Sequence, residues 1–368
     1  MAYTPEYANK NVGRPASFSA SDLKKVLSGK NVSMKFSVDT YNEEISGKSN
    51  VKDLETAMQL LYLNFTGVRK DDVAYTSFAN RTKGILANLG SNPMVAFSDS
   101  VISTLYQAHP LGRFITARDI ETANYDTMLK LYTERFANAG NFIFTIVGNV
   151  KSETLKTLVE QYIASLPSAP AKAAFNEKFL PVRTGKHANN AIRAMEVPKS
   201  TTDLIYSGKL DYTLKNKIQL DAVKQILDIV LDEVIREKLG GTYGVQVVSE
   251  MKSTPKGNFI VHLMFDTDPE RRLELVAAID EVINQLQKTG PSAANIQKVK
   301  EFTAKQHAEN LKRNEYVLNV LDNQFRYAAD FNTGYEQYVN QLSVQSLQKF
   351  AKQLFAQGNK LDVSISTK

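Results

Sequence analysis

The chain has 368 residues, 43% hydrophobic and 23% charged, a length that predicts two domains and a composition that excludes a disordered or fibrous protein. The 45 Lys and Arg stand among 39 Asp and Glu along the whole chain, so the net charge of +6 forms no block that points to nucleic acid. The lack of cysteine excludes disulfides, thiolate nucleophiles and Cys-based zinc sites; no apolar run of about 18 residues predicts a membrane span, and Met1 to Glu6 lack the pattern of a signal peptide.

A polar arm comes first. Ser17 to Leu23 reads as a capped helix start running to Leu27, and Val32, Met34, Phe36 and Val38 alternate as a half-buried strand. Gly47-Lys48-Ser49-Asn50 reads as a turn. Asp53 to Asn64 predicts a helix with Leu54, Met58, Leu61 and Tyr62 on one stripe, and Asp71 to Leu89 continues helically. Tyr125 to Phe136 is a further helix, stopped by Asn138-Ala139-Gly140-Asn141 before the apolar run Phe142 to Gly148, which predicts a buried strand. Ser152 caps an amphipathic helix to Leu166.

Pro167 to Ala174, extending with few apolar residues to Lys186, reads as a linker over 167–186 between domains at 1–166 and 187–368. Beyond it, a strand is expected from Ala191 to Val197 and a short one at Leu204-Ile205-Tyr206. Asn216 to Leu239 is a long helix with Leu220, Val223, Leu227, Val230, Val234 and Leu239 inward, ended by Gly240-Gly241. Thr242 to Ser249 and Asn258 to Phe265 alternate as a hairpin, and Asp268-Pro269 starts a helix to Lys288. The helix, Gly-Asn turn and strand of residues 129–146 recur at 348–365 with one residue deleted in the turn, which predicts a duplicated α+β domain.

The chemistry is sparse. The four histidines, His109, His187, His262 and His307, are scattered, and no two share the short helical spacing that aims a pair at one metal ion. His262 reads as a neutral core residue within a strand. No nucleophile elbow or phosphate loop is present, because Gly240-Gly241-Thr242-Tyr243-Gly244 follows a helix rather than opening one. That turn is still where two hydrogen-bond donors converge: Arg236 ends the long helix and Tyr243 starts the next strand, both suited to a peptide carbonyl. The alternative reading of the same residues is structural, with Arg236 complementing the helix dipole and Tyr243 half in the core.

Arg236-Glu237-Lys238-Leu239-Gly240-Gly241-Thr242-Tyr243-Gly244-Val245 resembles a signature of the pitrilysin, insulysin and mitochondrial-processing-peptidase (M16) zinc metallopeptidases. His109-Pro110-Leu111-Gly112, Phe136 to Gly148, Leu155 to Pro167 and Leu311 to Leu318 resemble other family segments in the same order. The resemblance implies two related α+β domains, each an antiparallel sheet backed by helices, forming one bowl of a clamshell. It assigns Arg236 and Tyr243 to binding of the substrate backbone.

Active members carry His-x-x-Glu-His on the first helix of their first domain; the corresponding stretch here, Asp53 to Asn64, has no histidine. The resemblance therefore implies a non-catalytic half with no metal of its own, facing a zinc-bearing half on the same polypeptide or a partner subunit. Peptides or unfolded proteins are the implied substrates, and bacterial members suggest the periplasm or envelope. Family domains open with strands that have no counterpart in Met1 to Pro15, so the chain is expected to be the C-terminal part of a longer protein, cut within its third domain. A catalytically inactive partner or structural subunit is the alternative.

Overall fold

The computed structural model describes residues 18–38, 41–67, 69–89, 91–170, 180–240, 242, 244–254 and 256–367. In chain order, α1 (Ala20–Val26) leads to β1 (Val32–Val38) and β2 (Glu43–Ser49), then α2 (Leu54–Thr66), α3 (Asp72–Leu89), α4 (Pro93–Leu105), α5 (Ala117–Glu121), α6 (Tyr125–Phe136) and α7 (Ser152–Tyr162). There follow β3 (Lys186–Ile192), β4 (Ser200–Lys209), α8 (Leu214–Leu231) with a π-helical extension Asp232–Lys238, β5 (Gln246–Lys252) and β6 (Asn258–Thr267). The chain closes with α9 (Arg272–Thr289), α10 (Ala293–Asn310), α11 (Asn314–Tyr327), α12 (Tyr335–Asn340), α13 (Val344–Phe355) and β7 (Lys360–Ser366). Two compact units form, Met1–Gly90 with Phe114–Asn176, and Ser91–Arg113 with Glu177–Lys368. The class is mixed α+β, with sheets backed by helices.

In the first unit, β1 and β2 pair antiparallel from Val32 opposite Ser49 to Val38 opposite Glu43. Gly47, Lys48 and Ser49, expected as a turn, are therefore strand. Gly47 lies across from Met34, whose sulfur sits 3.0 Å from where a Cβ would be, so the missing side chain serves cross-strand packing. The cap of α1 is Ser19, whose Oγ accepts from the Asp22 amide at 3.1 Å; Ser17 lies outside the described residues. Helices α2 and α6 close an aromatic core of Phe65, Tyr132 and Phe136.

Phe142 to Gly148 corrects a second expectation. Phe142 and Phe144 pack inward against Phe65 while Ile143 between them faces out, which is the alternation of a strand. Yet this stretch joins no ladder among the described residues. Alternation follows from side chains alone, whereas a sheet also needs a neighbouring backbone in register.

The second unit is built on a five-stranded sheet in the order β3-β7-β4-β6-β5. Only β3 and β7 run parallel; the other pairs are antiparallel. Side-chain alternation sends Leu204 and Tyr206 of β4 and Phe259, Val261 and Leu263 of β6 to one face, where α8, α9 and α13 cover them. Ile205, Ile260, Leu361, Val363 and Ile365 point to the other face, where Phe97 and Leu105 of α4 pack on them. Arg183 holds the end of α4, donating through its amide to the Leu105 carbonyl and through Nε to that of Thr104, both at 2.8 Å.

Strand β3 starts at Lys186 and ends at Ile192, five residues earlier than the expected start at Ala191. Its pattern was hidden because Asn189 and Asn190 spend their side chains on hydrogen bonds, to Thr104 and to Ser364 and Arg272. Strand β4 is ten residues long rather than three, and Ser200, Thr201, Thr202 and Asp203 at its start are all buried.

Two polar clusters fix helices to this sheet. Arg272, at the start of α9, donates to Thr202 and Asn190 and pairs with Asp362 of β7. Lys360 of β7 pairs with Asp280 of α9 at 2.6 Å, and Tyr206 donates to the same carboxylate at 2.9 Å. On the outer helices, buried His307 stacks on Tyr335 at 3.7 Å and meets the Tyr316 hydroxyl through Nδ1 at 3.0 Å.

Removing one member of a buried, hydrogen-bonded ion pair leaves the other charge uncompensated. Arg272→Met is therefore expected to cost about 3 kcal/mol in urea unfolding, and adding Asp362→Leu to recover part of it. A cost within a few tenths of a kcal/mol of zero would refute the tie. Burial pushes His307 below its ordinary value of 6.5, opposed by nearby Glu336. The unfolded chain then binds the extra proton first, so this stability is complete above 6.5 and is lost as pH falls through the lower folded value. His307→Phe is expected to flatten the fall in Tm between about pH 7.5 and about pH 5, checked by thermal melts of both proteins.

Candidate functional site

Helix α8 buries eight residues, from Leu214 to Leu231, against the sheet and its neighbouring helices, and then widens into the π-helical turns of Asp232–Lys238. Wide turns of this kind re-aim side chains at the end of a helix. Ile235 stays fully buried and anchors the segment, while Arg236 turns to the surface. Its guanidinium Nη2 meets Asp232 Oδ2 at 2.7 Å and Glu237 Oε1 at 3.3 Å.

The chain then reverses. The Gly240 amide donates to the Arg236 carbonyl at 3.1 Å, and Gly240 adopts φ +59, a left-handed conformation that a side chain would strain. Arg271, just before α9, donates to the Leu239 carbonyl at 3.1 Å, so the end of the helix is tied to the start of the next one. Thr242 and Gly244 share hydrogen bonds at 3.3 and 3.4 Å, and Gly244 opens the path into β5. A Cβ on Gly244 would lie 3.6 Å from Asp232 Oδ1, so one carboxylate touches Arg236 on one side and the entry to β5 on the other.

Of the two site residues expected from sequence, Arg236 is thus exposed, oriented by Asp232 and placed beside the first residues of β5. Tyr243 lies outside the described residues. Asp232 and Arg271 complete the local frame; the four-residue spacing of Asp232 and Arg236 was a legible signal for the first, but nothing in the sequence pointed to Arg271. One turn earlier, burial pushes the Asp228 carboxyl up, opposed by its partner Lys224 and by the Val247 amide.

The remaining histidines are dispersed. His187 faces the Thr184 carbonyl, and His262 meets Asp203 at 2.7 Å through Nδ1. His262 is therefore hydrogen-bonded to buried Asp203 and partly exposed, where a neutral core residue was expected. Among the described residues no group of three or more His, Cys, Asp or Glu could hold a metal ion, and α2, which stands where the resemblance places the zinc helix, carries none of the ligands.

The model of the peptidase M16 inactive domain matches residues 122–302, a span that includes this whole turn. Over that span, just under half of its length, the chain matches the M16 peptidase family. It is 23% identical over 341 residues to the probable zinc protease PqqL of Escherichia coli (strain K12), covering 91% of this chain and 36% of that protein. The chain thus spans little more than a third of that relative.

Among solved structures, the periplasmic protease PqqL from Escherichia coli superposes with a TM-score of 0.85 at 21% identity, covering 100% of this chain and 41% of that one. The first half of the same protease matches with a TM-score of 0.71 at 14% identity, over 99% of this chain and 82% of that one. A peptidase M16 inactive domain from Pseudomonas fluorescens gives 0.77 at 17% identity, over 99% and 87%. No helix of the described residues is long and apolar enough to cross a membrane.

The left-handed turn after Arg236 yields a direct check. Gly240→Ala is expected to cost about 1 kcal/mol in urea unfolding, because the space around it is open and only the backbone is strained. An unchanged midpoint would show that the turn does not need its present conformation.

Proposed function

We propose that this chain is the non-catalytic half of a zinc-dependent M16 endopeptidase, lining half of a peptide-binding chamber and contacting the substrate backbone with Arg236 and Tyr243. The observation that carries this reading is the inactive-domain match across the Arg236 turn, in a chain whose fold is matched by the first half of a zinc protease as well as by the whole. Zinc, the metal-activated water and the general base belong in this reading to the other half, on the same polypeptide or a partner subunit. The boundary between the two family domains is placed within 167–186, and a periplasmic location is favoured by the likeness to the periplasmic protease PqqL from Escherichia coli.

The role of Arg236 follows from its environment. A half-exposed ion pair of this kind contributes about 0–1 kcal/mol, so turning one N–H from Glu237 or Asp232 to a peptide carbonyl costs little. Asp232 keeps the remaining donors oriented, and the carbonyl gains a charge-assisted hydrogen bond that strengthens as its oxygen becomes an oxyanion.

The test is reconstitution of the complete enzyme and measurement of kcat/KM on a quenched-fluorescence peptide. Arg236→Ala and Tyr243→Phe are each expected to lower it about 10- to 150-fold, the equivalent of ~1.5–3 kcal/mol for a hydrogen bond to a charged group. Undiminished cleavage would remove the substrate-contact role and favour an inactive partner or structural subunit. Zinc-dependent cleavage by this chain alone would overturn the division of labour.

A further inference from the structure

Helix α8 leads to the Arg236 turn at its C-terminal end and borders a cavity of about 290 Å³ at its N-terminal end, roughly 30 Å away along the helix. That volume stands at the lower limit of small-molecule sites. The walls come from the first turns of α8, from the end of α12 with the two residues after it, and from one flank of α13. All of them belong to the second unit.

The charge in this cavity is uncompensated. Lys215 and Lys349 are exposed on its walls, and no Asp or Glu lines it. Further along α8, Lys217 and Lys224 each pair with the aspartate four residues on, at 2.6 and 2.5 Å. Lys215 and Lys349 have glutamine at that position instead, Gln219 and Gln353, and both glutamines also line the cavity. Neither lysine has an ion-pair partner among the described residues. The first turn of α8 contains no acidic residue, and α13 contains none over its whole length.

The rest of the lining suits hydroxyl groups. The side chains of Gln219, Gln341 and Gln353 donate and accept no hydrogen bond among the described residues, and each amide offers donors and an acceptor at once. Asn216 is fixed by donating to the Asp211 carbonyl at 2.9 Å, and Ser346 by its exchange with Ser343 at the cap of α13. Leu342 and Phe350 are buried and supply apolar surface. A hydrocarbon ligand would leave the amides unpaired, and a bare anion would leave them and the apolar surface unused. A polyol with two negative charges meets all three features.

We infer that this cavity binds a small phosphorylated sugar. Its phosphate monoester, with about −1.5 to −2 charge at pH 7, lies between Lys215 and Lys349. The sugar hydroxyls meet the amides of Gln219, Gln341 and Gln353, and the C–H face of the ring rests on Leu342 and Phe350. The site is separate from Arg236 and does not depend on how that residue is used.

The probe is glucose 6-phosphate, titrated into the 368-residue chain by isothermal calorimetry in phosphate-free buffer at low ionic strength, with inorganic phosphate and glucose as comparisons. One-to-one binding is expected with a Kd at or below about 1 mM, at least about tenfold tighter than either comparison. Lys215→Gln and Lys349→Gln are each expected to weaken it at least about tenfold, while Lys217→Gln, at a lysine outside the cavity, leaves it unchanged. Both cavity lysines are exposed, so the variants are expected to melt as the unmodified chain does. Gln219→Leu is expected to weaken glucose 6-phosphate about 2- to 12-fold and to leave inorganic phosphate unaffected.

A Kd above about 1 mM, or an equal loss with Lys217→Gln, overturns the site. Equal affinity for inorganic phosphate, unaltered by Gln219→Leu, overturns the sugar contacts.

Discussion

A five-stranded sheet whose central strand is buried on both faces has to be covered twice, and the second unit is organised by that requirement. Strand β4 hides its first eight residues, so helices α8, α9 and α13 on one face are not enough. The other face is closed by α4, drawn from between two stretches of the first unit and seated on Ile205, Ile260, Leu361, Val363 and Ile365. Full burial of one such aliphatic side chain contributes about 1.5–3 kcal/mol, so a bare second face would forgo several of these contributions. This is why a segment distant in sequence belongs to the unit.

Burying β4 brings polar groups inside, and their pairing sets where the helices sit. Arg272 bridges Thr202, Asn190 and Asp362 and thereby pins the start of α9 across three strands. Arg271, its neighbour, reaches the Leu239 carbonyl at the end of the π-helical segment. The position of the Arg236 turn is therefore inherited from the same tie that satisfies the buried polar residues of the sheet. The geometry of that turn depends on packing below it.

The loop of residues 109–112 has a similar structural reason. A Cβ on Gly112 would stand 2.4 Å from the Tyr106 Cβ and 2.9 Å from Leu180, so the glycine lets the chain leave α4 without collision. His109 accepts from the Leu111 amide through Nδ1 and is spent on the turn. A histidine within a family-like segment is thus accounted for without metal or catalysis.

Much of this was legible in the residues themselves. Helices with a clear stripe, such as Tyr125–Phe136 and the long one through Leu220 and Leu227, were readable because helical periodicity is a local property. Arg236 was found through its place in a run resembling the family motif, and the dispersed histidines exclude the paired helical spacing of a zinc helix. Tertiary structure alone decided the rest. It showed Phe142 to Gly148 without a ladder, gave Asn189 and Asn190 to a strand, buried Ser200 to Asp203, and sent Pro93–Leu105 to the second unit. The reason is common to all four: periodicity records which side chains face inward, but a backbone's hydrogen-bond partner, the pairing of a buried polar group and the cover of a second sheet face are supplied by residues far along the chain.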